Sequence, residues 1–188
     1  MLFSPMPYGL EGTLVRLAPI NPDRHTEPLQ RWINDPETTR TLGGGMFPVS
    51  LLGERDFLER AARSDRDGIV WAVETLAGEL VGISDLHRLD WIARSAHSGS
   101  FIGVAEMRGK GYGAEAARLR ADYAFGTLNL LTLFSSHLDG NPASGRMLEK
   151  AGYEKWGVRP RAFYKEGRMI DEHNFVLTRE RWESRRAA

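Results

Sequence analysis

The chain contains no cysteine, which excludes a disulfide framework, thiolate metal sites and a cysteine nucleophile, and leaves the fold to packing alone. It has no net charge either, with 25 Lys and Arg against 25 Asp and Glu. That balance removes the basic footprint of a general nucleic-acid binder, so no nucleic-acid partner is expected. Apolar runs are only a handful of residues long, far short of the ~20 that a bilayer crossing needs, so no membrane partner is expected. Met1 to Leu10 lacks a basic start followed by an apolar stretch, which reads as a cytoplasmic protein. Five histidines, His25, His87, His97, His137 and His173, are spread too widely for metal-ligand spacing. No metal is expected. Internal repeats and low-complexity linkers are also missing, so residues 1–188 are read as a single domain with one core.

What is present is an ordered alternation of elements. Thr13 to Leu17 alternates as a strand, and Pro22 and Asp23 introduce a helix to about Trp32 with Leu29, Trp32 and Ile33 as its stripe. The Gly43-Gly44-Gly45 run interrupts regular structure before Ser50 opens a second helix carrying Leu51, Phe57, Leu58 and Ala61. Residues 69–75 and 79–86 form a hairpin around Leu76-Ala77-Gly78, and a third strand covers about 96–105. A helix with Ala114, Ala117, Ala121, Ala124 and Phe125 on one face follows, then a buried strand over 130–136. Asn141, Pro142 and Gly152 bound another helix. Strands over 153–164 and 169–178 flank the Glu166-Gly167 turn, and the two chain ends, Ser4 to Pro7 and Glu183 to Ala188, are expected to fray.

The chemistry concentrates in Arg108-Gly109-Lys110-Gly111-Tyr112-Gly113, a glycine loop placed between a strand and a helix. Glycines let the backbone approach a bulky anion, and the free amides of the following helix start favour a diphosphate. A plain tight turn uses the same residues. A Walker A loop fails, because Val104 stands where its first glycine should be and Gly111 follows Lys110. A dinucleotide fold needs alternating parallel strands and an acid about 20 residues on, and only Asp122, inside the helix, is offered. The second informative stretch runs from Asn141 to Tyr153. At helical spacing Ser144, Met147, Leu148 and Ala151 share an inward face while Arg146, Glu149 and Lys150 face water. The structural alternative for Ser144 is a hydroxyl bonded back to a helical carbonyl.

With these motifs the chain resembles the GNAT superfamily of acyl-CoA-dependent N-acetyltransferases, and within it the RimJ/RimL-like branch of ribosomal-protein and other protein N-terminal acetyltransferases. The loop Arg/Gln-x-x-Gly-x-Gly/Ala is matched by Arg108 to Gly113. The Asn-x-x-Ser helix leading to Lys-x-Gly-Phe is matched through Asn141, Ser144, Lys150, Gly152 and Tyr153, and the Gly-x-x-x-Asp turn by Gly167 to Asp171. The resemblance implies an α/β (α+β type) acyl-CoA N-acyltransferase fold: a mixed, mostly antiparallel, splayed sheet of about seven strands with helices on both faces. It implies acetyl-CoA as cosubstrate and an amine acceptor, either a peptide or protein N-terminus or a small amine. Amides from Gly109 to Ala114, with Lys110, Gly111, Tyr112 and Gly113 between them, would hold the diphosphate beside Arg108. The strand through Phe101, Ile102, Gly103 and Val104 would pair with pantetheine, Asn141 would meet the pantetheine arm, and Ser144 would support the departing thiolate. Gly103 is expected to mark a bulge that splays this strand from its neighbour, and an amide near Ile102 to Val104 would polarise the carbonyl.

The general base is left open. Many relatives place a glutamate where Ser98 stands, and the tyrosine used as acid in other branches is replaced by Leu148. Asp85, His87 and His97 are the candidates, with Asp85 and His97 foremost as catalytic residues. Trp32 and Trp91 are the tryptophans expected near substrate, and Arg118, Arg120, Arg159 and Arg161 read as a solvated face. An exposed final strand could support a homodimer. The alternatives are a non-catalytic acyl-CoA-binding or sensor module, motivated by the missing glutamate, and a nicotinamide oxidoreductase.

Overall fold

The computed structural model describes residues 10–44, 47–63 and 67–187. Its elements are β1 (Leu10–Glu11), β2 (Val15–Pro19), α1 (Pro22–Asn34), α2 (Pro36–Thr39), α3 (Leu51–Ala62), β3 (Gly68–Thr75), β4 (Leu80–Asp90), β5 (Ser95–Ile102), α4 (Tyr112–Gly126), β6 (Thr132–Leu138), α5 (Pro142–Ala151), β7 (Glu154–Lys165), β8 (Arg168–Thr178) and α6 (Arg179–Ala187). The strands form one sheet in the order β1-β2-β3-β4-β5-β6-β8-β7. All neighbours pair antiparallel except β5 and β6, which are parallel. This is the mixed, mostly antiparallel fold class expected, with eight strands because the two-residue β1 adds one edge.

The sheet separates two apolar layers. On one face Val15, Leu17, Val73, Val81, Ala96, Leu133 and Leu177 pack against α4 and α5 through Ala117, Ala121, Ala124, Phe125 and Leu148. Ala-rich α4 allows that helix to lie close to the strands. On the other face Ala72, Ile83 and Phe101 meet α1 and α3 through Leu29, Trp32 and Leu58. Strand alternation therefore assigns each side chain to one layer or the other.

Several expectations change. Residues 179–187 form α6 rather than a frayed end, because the Trp182 ring packs against Phe125 with centroids 5.4 Å apart and its Nε1 donates to Asp122 at 2.6 Å. The Ser4 to Pro7 segment lies outside the described residues. The final strand β8 is interior, and β7 is the exposed edge. Arg120 is 0% exposed rather than on a solvated face. Among the described residues no helix is long and apolar enough to cross a membrane.

Candidate active site

The site originates where β5 and β6 part. They pair at Ser95 with Thr132, Ala96 with Leu133 and His97 with Phe134, and then diverge. At the fork two hydroxyls replace the ladder: Ser98 Oγ donates to the Phe134 carbonyl at 3.0 Å and Ser135 Oγ to the Ser98 carbonyl at 2.9 Å. The Tyr153 hydroxyl lies 3.0 Å from Ser98 Oγ. The hydroxyls buried at the fork are thus all hydrogen-bonded. Beyond the fork, the Gly103 amide donates to Val81 at 2.9 Å across the β4–β5 ladder. The alternation of an antiparallel pair then turns the main-chain groups of Ser100 and Ile102 the other way, into the gap.

Gly103 is thus not a bulge. The β4–β5 register runs unbroken from His97 to Ile102. The reason for glycine is steric, since a Cβ there would stand 2.0 Å from Trp32 Cδ2. Trp32 packs at 86° to Phe101 with centroids 6.3 Å apart and closes the end of the strand.

Next to the gap, Gly109 and Gly111 adopt φ of +77° and +95°, the left-handed region that side chains disfavour. Gly111 is the N-cap of α4 and supplies no side-chain acceptor, so the first-turn amides of α4 are open to an anion. Arg108 is exposed, but its guanidinium is engaged within the protein. Its guanidinium donates to the carbonyls of Ile102 at 3.0 Å and Gly103 at 3.1 Å and to Thr38 Oγ1 at 2.9 Å.

These elements surround an open cleft of about 840 Å³. Ser100, Phe101, Ile102, Arg108, Gly109, Gly111, Gly113, Ala114, Asn141 and Ser144 line it, whereas Gly103, Val104, Lys110 and Tyr112 do not. Val104 and Tyr112 instead pack on the core. Asn141 caps α5 by accepting from the Ser144 amide at 3.1 Å, and its Nδ2 donates to Thr41 Oγ1 at 3.1 Å. Ser144 and Met147 face the cleft, while Leu148 is 1% exposed in the core. No hydrogen bond from the Ser144 hydroxyl is found among the described residues.

The opposite wall carries Asp85 and His87 of β4, with Asp85 Oδ1 and His87 Nδ1 2.5 Å apart. Glu172 of β8 stands further along, accepting from Ser136 Oγ at 2.8 Å and paired with Arg159 at 3.1 Å. His97 does not line the cleft. Its ring lies 5.8 Å from His87 and 5.6 Å from Phe134 by centroid. Lost hydration, then the neighbouring His87 and Arg88, hold its pKa below the usual histidine value. A strap from Thr38 to Gly44 forms the remaining wall. Lys165, 8% exposed, secures it by donating to the carbonyls of Thr39 at 2.7 Å and Gly44 at 2.9 Å, and burial pushes its pKa down.

The profile of the acetyltransferase (GNAT) domain family matches residues 15–154. The chain belongs to the GNAT acetyltransferase family. The uncharacterized N-acetyltransferase YoaA of Bacillus subtilis (strain 168) is 29% identical over 122 residues, 64% of this chain and 68% of that protein. YdaF of the same organism, provisionally named a ribosomal N-acetyltransferase, is 32% identical over 106 residues, 56% of this chain and 57% of that protein. The match thus spans little more than half of YdaF. The spermidine N-acetyltransferase of Vibrio cholerae, solved with CoA and spermine, shares the fold with a TM-score of 0.80 at 20% identity, over 90% of this chain and 98% of that one.

Within this GNAT chain, the sequence reading located the glycine loop, the α5 cap, Ser144 and Asp85, and the fold brings them to one cleft. It missed Glu172, Lys165 and Arg120. Glu172 left one trace, a polar run from Asp171 to Asn174 inside a strand otherwise rich in apolar residues. Neither Trp32 nor Trp91 lines the cleft, the latter sitting beyond β4 at 46% exposure.

Proposed function

We propose that this protein is an acetyl-CoA-dependent N-acetyltransferase that moves an acetyl group to a primary amine by direct attack. The observation that carries this reading is the forked sheet, which presents the main-chain groups of Ser100 and the amide of Ile102 to the same cleft as the glycine loop. An extended ligand with alternating amide donors and acceptors fits the opened edge of β5, and a diphosphate fits the uncapped start of α4 beside Gly109 and Gly111. When bound, acetyl-CoA supplies an acetyl group activated as a thioester.

The residues then divide the work. The Ser100 amide donates to the acyl carbonyl oxygen as charge develops on it, while the Ile102 amide, nearer the glycine loop, holds the ligand's arm. The Asp85–His87 pair accepts the proton that the amine loses as its nitrogen bonds to the carbonyl carbon. The Ser144 hydroxyl donates to the sulfur as the carbon–sulfur bond breaks. Asn141 and the strap orient the ligand's arm. Ser98, taken up at the fork, has no part in proton transfer.

The acceptors named for YdaF and for the Vibrio protein, ribosomal protein and polyamine, set the panel for a test. Thiol release from acetyl-CoA is measured with N-terminal peptides, polyamines and aminoglycosides. Turnover with one amine class supports the reading. Tight acetyl-CoA binding with no transfer across the panel would instead favour a sensor module.

A further inference from the structure

Among the described residues Arg120 of α4 is the largest fully buried side chain, at 0% exposure. A guanidinium stays charged in proteins, and burying it without a counter-ion is strongly unfavourable. Its Nη1 donates to Ser84 Oγ at 2.7 Å and to the Gly99 carbonyl at 2.6 Å, while Nε and Nη2 have no partner among the described residues. No carboxylate is paired with it among the described residues. Packing does not require this arrangement, since buried ions are commonly replaced by apolar side chains of similar volume without loss of stability.

The contact becomes intelligible along the peptide that Arg120 touches. Gly99 pairs with Asp85 across the ladder and turns its carbonyl toward β4. The nitrogen of that same peptide belongs to Ser100, whose N–H opens into the cleft. We infer that Arg120 is a positioning residue that polarises the Gly99–Ser100 peptide from behind, so that the Ser100 amide is a stronger donor to the acyl carbonyl. Drawing electron density toward the carbonyl end makes the amide proton more positive, the cooperative effect of hydrogen bonds in series. The charge sits in a low-dielectric layer where it is little screened and acts only through a fixed dipole, which needs no rearrangement during reaction. The Ile102 amide faces the same gap, and among the described residues no arginine meets the Phe101 carbonyl of its peptide.

The inference rests on the proposed acetyl transfer, and the experiment separates the two. Arg120→Met removes the charge and Arg120→Lys keeps it. In the protein without ligand, the Ser100 amide proton is followed by NMR; with carbonyl-labelled acetyl-CoA bound, the carbonyl stretch is followed by infrared. In Arg120→Met the amide proton is expected to move upfield, the stretch to rise, and kcat to fall about tenfold with acceptor KM unchanged. Arg120→Lys should recover part of each. A folded Arg120→Met protein with both signals unmoved overturns the inference. If Arg120→Met does not fold, the wild-type spectrum decides, because the Ser100 amide must then lie downfield of that of Ile102. Should wild type bind no acetyl-CoA, the proposed function fails while the amide measurement still tests the polarisation.

Discussion

Single carboxylates have opposite duties in this molecule according to what surrounds them. Glu115, on the first turn of α4, accepts from the Thr13 amide and hydroxyl and from the amides of Leu14 and Val15 at 2.6–3.0 Å. It ties the start of α4 to the β1–β2 turn. Burial alone would raise its pKa, but these hydrogen bonds together hold it below the usual glutamate value. Glu115→Gln should destabilise the fold by about 2–4 kcal/mol, read from denaturant titration, because it leaves buried donors poorly matched. Asp85 instead faces the cleft beside His87. Asp85→Asn should lower kcat about 100-fold or more with melting temperature unchanged. Ser144→Ala should lower kcat about 10- to 100-fold while calorimetry finds the same affinity for CoA, since its hydroxyl supports no other part of the fold.

Among the elements, the strap from Thr38 to Gly44 is unusual in having little regular structure and three anchors from distant parts of the chain. Arg108 holds Thr38, Asn141 holds Thr41, and Lys165 holds the carbonyls of Thr39 and Gly44. The same residues that begin the glycine loop and cap α5 therefore also position the opposite wall of the cleft. Removing one anchor loosens a wall rather than the core. Lys165→Met should speed hydrogen exchange over 39–44 and raise the acceptor KM about five- to tenfold with kcat little changed, since ligand placement and not proton transfer is disturbed. Unaltered exchange in that segment would show the strap to be held by other contacts.

For the molecule as a whole, buried ionisable groups make stability depend on pH. His25, His97 and His137 have pKa values below the ordinary 6.5, chiefly through lost hydration; at His25 the Glu74 carboxylate opposes this and Arg24 reinforces it. The unfolded chain binds more protons than the folded one as pH falls through about 6.5, so stability declines on that side. Glu115, with a lowered pKa, loses its contribution on further acidification. Glu54 works the other way, because burial raises its pKa and its protonated form favours the fold. Between pH 7.5 and 5.5 three histidines therefore act to lower stability and one glutamate to raise it. The melting temperature should fall from pH 7.5 to pH 5.5, by roughly 2–4 °C for each kcal/mol of linkage, and calorimetry at both values checks this.

Local patterns in the chain were enough for most elements and for the glycine loop. Alternation marks strands, Asn141 and Gly152 bracket α5, and the glycine run from Arg108 to Gly113 marks the loop in which Gly109 and Gly111 take positive φ, because each signal is written within a few neighbouring residues. Asp85 and Ser144 were legible as candidates for the same reason. The fork was not. It depends on Ser98, Phe134 and Ser135, which meet across strands more than 30 positions apart. The same holds for Trp32 over Gly103, for Lys165 on the strap and for Arg120 behind Gly99. Sequence periodicity says which face a side chain takes, but only the packed sheet decides which distant backbone group it meets there.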